Sequence, residues 1–170
     1  MKNYLKSNWL FLTILILFSI FVYWGIQFIP FHPDESTQLY MSGDFEILFS
    51  KPSDLYWRAE NKEDPKQRYR ELDAPLTKYI IGIGRLLTDQ EALPKDWDWG
   101  LSWDENINSG RFPDKKLLTT GRFILTTLLP ISLILIFLIG QRLNGKWTGL
   151  IALILLGTNA VTPPLSQIYG

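Results

Sequence analysis

Cysteine is absent from the 170 residues, so the chain has no disulfide framework and no thiolate metal site. A basic excess is absent as well. The 17 Lys and Arg balance 17 Asp and Glu, which removes the electrostatic footprint of a nucleic-acid-binding protein. Charge is nearly missing from both ends. Outside residues 30–116 the charged side chains are Lys2, Lys6, Arg122, Arg142 and Lys146 alone. A net charge of zero therefore averages two unlike kinds of chain, apolar flanks and a polar centre, and a simple soluble globule is excluded.

Alanine is also missing until Ala59, and this decides how the first apolar run is read. Residues 9–29 carry no charge, and a bilayer core needs about 20 apolar residues as helix. A cleaved signal peptide would show a shorter apolar core followed by small residues at the cut. The run reads instead as an uncleaved transmembrane helix. Residues 117–140 give a second span, interrupted only by Arg122 and expected to kink at Pro130, where neighbouring helices can take up a freed carbonyl. After a polar turn at 141–146, residues 147–164 give a third, diluted towards Thr162-Pro163-Pro164.

Lys2 and Lys6 fall on the same side as Arg142 and Lys146, so the positive-inside rule places residues 1–8 in the cytoplasm. Residues 30–116 then lie outside, with all 17 acidic residues and 12 of the basic ones. The expected fold is an all-α integral membrane protein of the cell membrane: three transmembrane helices, with a large, partly helical extracytoplasmic loop between the first and second. Residues 165–170 trail after the third.

A loop this long must be partly folded. One helix is expected from Asp34 or Ser36, both good N-caps, towards Phe49, with Gly43 as its weak point. A second starts at Asp73-Ala74-Pro75. Its Leu76, Tyr79, Ile80, Ile83, Leu86 and Leu87 make one apolar stripe, with Lys78 and Arg85 on the other face. That pattern suits a helix lying in the membrane interface, or one packed against the rest of the loop. Residues 51–71 are highly charged and read as a solvated excursion. Trp97, Trp99 and Trp103 read as interfacial belt residues, with a carbohydrate-stacking platform as the alternative.

The chemistry-bearing cluster is Phe31-His32-Pro33-Asp34-Glu35, just beyond the first span. Adjacent carboxylates repel each other near a low-dielectric surface, conditions that suit one of them to act as a base. The plain alternative is that Asp34 caps a helix. His32 beside two carboxylates suggests a metal, but near-consecutive ligands seldom converge on one ion, and no metal ligands are assigned.

The order of these parts resembles the N-terminal portion of the GT-C glycosyltransferases, in the branch of the protein O-mannosyltransferases and the lipid A aminoarabinose transferase. The matching motifs are Asp34-Glu35 at the start of the outside loop and Asp73-Ala74-Pro75-Leu76-Thr77-Lys78-Tyr79, where the family has a His-Pro-Pro-like segment. Gly121-Arg122-Phe123 enters the second span, Asn144-Gly145-Lys146 makes the turn, and Thr162-Pro163-Pro164-Leu165 leaves the third. The resemblance implies transfer of a sugar from a polyprenyl-phosphate donor to an extracytoplasmic acceptor, which is a protein, a lipid or a glycan. Asp34 would be the base and Glu35 its support. His32, Asp73, Lys78 and Arg122 would bind substrate, Lys78 at the donor phosphate. The resemblance fixes no cofactor and leaves a divalent metal open, since branches of the family differ in their need for one. Besides the donor, the expected partners are membrane lipids, with no nucleic acid. Because the family carries more spans, these 170 residues are expected to be the front of a longer enzyme and inactive alone. Two other readings compete: a non-catalytic membrane scaffold or partner-binding protein, and one repeat of a transporter.

Overall fold

In the computed structural model, residues 8–61, 64–73 and 75–169 are described, with side chains for all but Asn61 and residues 160–169. Lys2 and Lys6, on which the orientation argument leans, lie outside the described residues, as do Ala74 and the side chains of Thr162, Pro163, Pro164 and Leu165. Regular structure among the described residues is entirely helical. The elements are α1 (Trp9–Gly25), α2 (Pro33–Met41), α3 (Asp44–Ser50), α4 (Pro65–Leu72), α5 (Pro75–Leu87), α6 (Trp103–Asn108), α7 (Lys115–Thr126), α8 (Leu128–Asn144) and α9 (Lys146–Tyr169). They sort into two compact units, one of Met1–Pro30 with Thr126–Gly170 and one of Phe31–Leu125.

The apolar unit holds α1, α8 and α9. Leu133 and Phe137 of α8 are buried against Leu150 and Leu153 of α9, and Phe11, Ile14 and Phe18 of α1 pack onto them. The Phe11 and Phe137 rings stack with centroids 4.1 Å apart. Helices in lipid gain nothing from hiding leucine from leucine-like tails, so close backbone approach matters more. Gly140 and Gly149 supply it: a Cβ on Gly149 would stand 2.5 Å from the Phe137 carbonyl oxygen. The outer faces are the reverse of a soluble bundle. Ile16, Leu17, Ile20 and Trp24 of α1, Leu135 and Ile139 of α8, and Ile151 and Leu155 of α9 all point outward and exposed.

Among the described residues, two helices are long and apolar enough to cross a membrane, Trp9–Phe28 and Lys115–Asn144. The first has 20 residues, about 30 Å of rise, which matches a hydrocarbon core. The helical run of the second is interrupted at Thr127, three residues before Pro130, whose ring has no N–H to return to Thr126. The expected interruption is therefore present, slightly upstream of the proline. α9 runs on to Tyr169, through the Pro163-Pro164 pair that reads in sequence as its exit.

In the polar unit α2, α5 and α7 surround a core of Leu39, Ile81, Leu93 and Leu117. Four expectations change here. The first loop helix is two helices, broken at Ser42-Gly43, and its cap is His32 rather than Asp34 or Ser36. Ser36 is buried instead, and its hydroxyl donates to the Arg111 carbonyl. Residues 51–71 are not a bare excursion: they form turns at Pro52–Leu55 and Ala59–Asn61 and then α4. Trp97 and Trp103 pack with Phe31 and Phe112 in one aromatic cluster, and only Trp99 is left out of it. Lys78 and Arg85 turn inward, because two carboxylates of α3, Asp44 and Glu46, wait there for them.

Candidate functional site

The start of α2 builds the site. The His32 Nδ1 accepts from the Asp34 backbone N–H at 3.3 Å, and the Glu35 carboxylate accepts from the His32 backbone N–H at 3.0 Å, a reciprocal cap with Pro33 pre-set at the first helical position. Glu35 does a second job. Arg122 Nε and Nη2 donate to its two oxygens at 2.6 and 2.7 Å, a fork-on-fork pair between α7 and α2. Gly121 permits this approach, since a Cβ there would sit 2.9 Å from Leu39 Cδ2.

Asp34 is left in a different position. Successive helical residues diverge by about 100°, so its side chain points away from Glu35 and is 74 % exposed. Its Oδ2 stands 3.4 Å from His32 Nδ1. The two carboxylates thus do not share one environment, as adjacency in sequence suggests: Arg122 neutralises one, and water faces the other. Asp34, Gln38 and Arg122 rim a recess of about 160 Å³ floored by Leu39, Ile81 and Leu118. Thr77 donates to Gln38 Oε1 at 2.8 Å and fixes that amide.

The other two residues picked from sequence are elsewhere. Lys78 is only 7 % exposed, and its Nζ donates to Asp44 Oδ2 at 2.8 Å. It is thereby committed to Asp44 and not presented to a donor phosphate. Asp44, fully buried, also accepts from Arg70 at 2.7 and 2.9 Å. Burial by itself would raise the Asp44 carboxyl, but the hydrogen bonds from Arg70 and Lys78 outweigh it and hold the group below its usual value. Burial lowers the nearby Lys66 ammonium, which stands over the Tyr40 ring at 4.4 Å. Asp73 ends α4 and lines an open pocket of about 470 Å³ with Arg68, Tyr69 and the exposed Trp99.

Sequence reading missed Asp44 and Asp96. Asp96 accepts from Thr37 at 2.8 Å and from the Tyr69 hydroxyl at 2.6 Å, joining α2 to α4. Burial and that carboxylate push the Tyr69 phenol up to about 12. A signal for the Asp44 network was present: Lys78, Ile81, Gly82 and Arg85 share one helical face, and a glycine between two cations marks that face for close packing. Among the described residues no group of three or more His, Asp or Glu stands where it could hold a metal ion. His32 and Asp34 offer two groups, and the Nδ1 of the first already accepts a hydrogen bond.

No protein-family profile matches the chain, and neither the curated proteins nor the solved structures contain a significant match.

Proposed function

We propose that these residues form the N-terminal portion of a membrane glycosyltransferase that moves a sugar from a polyprenyl-phosphate donor to an acceptor hydroxyl outside the cytoplasm. In this reading α1, the run from residue 117 to 140 and α9 cross the cell membrane, residues 1–8 are cytoplasmic, and residues 30–116 stand on the outer surface. The observation that carries the proposal is the division of labour in Asp34-Glu35: one carboxylate is locked by Arg122 and the helix cap, and the next is held open over a recess. Asp34 takes the proton of the acceptor hydroxyl as its oxygen attacks the anomeric carbon. The bond to the phosphate oxygen breaks with the electron pair leaving on the lipid phosphate, and the anomeric centre inverts. Arg122 is the cation nearest that recess, and His32 and Gln38 orient the groups that enter it.

The test is Asp34→Asn in the complete protein, assayed for sugar transfer from a polyprenyl-phosphate donor. A general base contributes roughly 10²- to 10⁴-fold, so a loss of that size with unchanged thermal stability is expected. Full activity in this variant removes Asp34 from the mechanism. A second reading, a non-catalytic scaffold or partner-binding protein, draws support from how many charged groups are spent within the fold, Lys78, Arg70, Arg85 and Arg122 among them. It gains if Asp34→Asn is silent and the exposed Trp99 pocket proves to bind protein.

A further inference from the structure

We propose that the groove between α5 and α7 is a binding site for one phospholipid with an anionic headgroup, drawn from the surrounding bilayer. The groove, about 670 Å³, is within the range of small-molecule sites. Along α7 its wall changes character in the order in which a lipid does. Lys115 and Lys116 come first, Thr119 and Thr120 follow one turn later, and Phe123 and Ile124 one turn after that. From Lys116 to Thr120 the rise is about 6 Å, comparable with the polar zone of one leaflet, and the next turn is apolar.

The facing wall is prepared for acyl chain. α5 buries its two cations and exposes its leucines, so that Leu87, 75 % exposed, borders the groove beside Gly84 and Thr88. Gln90 ties the walls together by donating to Thr120 Oγ1 at 2.7 Å, and Lys116 Nζ donates to the Thr88 carbonyl at 3.3 Å. The neighbouring carboxylate, Asp114, is occupied at the start of α7, where it accepts from the Leu117 N–H at 2.8 Å. Two exposed ammonium groups therefore remain at the polar end to meet a phosphate, while the helix leads from them into a run apolar enough to cross a membrane. Basic pockets at the ends of membrane helices select anionic lipids in this way.

The inference rests on the membrane reading of the chain and not on its catalytic one, so full sugar-transfer activity in Asp34→Asn, which removes Asp34 from the mechanism, leaves it untouched. The full chain is placed in mixed nanodiscs of phosphatidylglycerol and phosphatidylcholine, and bound lipid is counted by native mass spectrometry. One phosphatidylglycerol retained per chain is expected. Each lysine near a headgroup contributes about fivefold, so the paired change Lys115→Gln and Lys116→Gln should reduce the preference on the order of 30-fold. If that variant does not fold, the salt dependence of the wild-type chain answers instead: the preference should weaken several-fold between 50 mM and 500 mM salt. Equal retention of both lipids, a preference indifferent to salt, or a preference unchanged in the folded double variant overturns the proposal. So does one-for-one displacement of phosphatidylglycerol by a polyprenyl phosphate, which would assign the groove to the donor.

Discussion

Replacing Asp44 by Asn should be the most damaging single change of charge in the polar unit. The carboxylate is fully buried and receives three hydrogen bonds, two from Arg70 and one from Lys78. An amide of the same shape leaves two nearly buried cations without a counter-charge, and breaking a buried pair in this way costs about 3–5 kcal/mol. For a chain of this length 1 kcal/mol moves the midpoint about 2–4 °C, so Tm should fall by roughly 10 °C. Lys78→Met should cost less, because Asp44 keeps its two bonds from Arg70, and the double variant should lose less than the sum of the two. The assay is thermal unfolding in detergent, followed by circular dichroism, on all three variants and the wild type. The pH dependence has a definite sign. A carboxyl depressed in the folded state contributes fully above its unfolded value, near 3.8, and loses that contribution as pH falls through the lower folded value. Asp44→Asn should remove this acid limb. A Tm within about 2 °C of wild type would refute the account, and a Lys78→Met variant with intact Tm but a raised KM for the donor would restore Lys78 to the substrate site.

Three shorter predictions follow the same logic. Gly121→Val should push α7 off Leu39 and loosen the Arg122–Glu35 fork, costing about 1–3 kcal/mol in thermal unfolding; a neutral result would mean Leu39 repacks freely. Gly149→Leu should cost at least as much, since a Cβ there meets the Phe137 carbonyl oxygen and a backbone cannot rotate aside, and the readout is again Tm in detergent. Tyr69 should ionise near pH 12 by absorbance at 295 nm. The native state holds that proton where the unfolded state has lost it, so stability should fall as pH rises from 10 to 12, and Asp96→Asn should bring the phenol back down.

How much of this was legible in the sequence depends on the range of the interaction. Helix existence was legible, because α1, α5 and the run through α8 are written in continuous or periodic apolar residues. The interruption before Pro130 was legible too, as a missing donor is a local fact. The cap of α2 was not read, although its parts are three residues apart, because a histidine ring accepting from a backbone N–H is rarer than Ser or Asp in that role. The partners at Asp44 and Asp96 were not legible, since each centre joins segments 26 to 59 residues apart: the face of Lys78, Gly82 and Arg85 marks a close contact without saying which carboxylate meets it, and nothing local pairs Asp96 with Thr37 and Tyr69. Lys78 was selected for its charge, and charge is what draws it inward to Asp44. Asp34 and Arg122 come to one recess as the motif order suggests, while Asp73 goes to another.

The inversion of α5 joins these points into one physical argument. A surface helix in water hides leucine and shows lysine; α5 hides Lys78 and Arg85 and shows Leu76, Ile83, Leu86 and Leu87. Burying two cations is tolerable only because α3 offers Asp44 and Glu46 at the matching places, and such pairs roughly break even against an apolar core. Four large aliphatic side chains exposed on one helix form a patch of the kind that a membrane, a protein partner or a ligand covers. The helix is thus held in its own unit by electrostatics while its outward face stays apolar. Thr77, which fixes Gln38 at the rim of the Asp34 recess, stands one residue from the exposed Leu76.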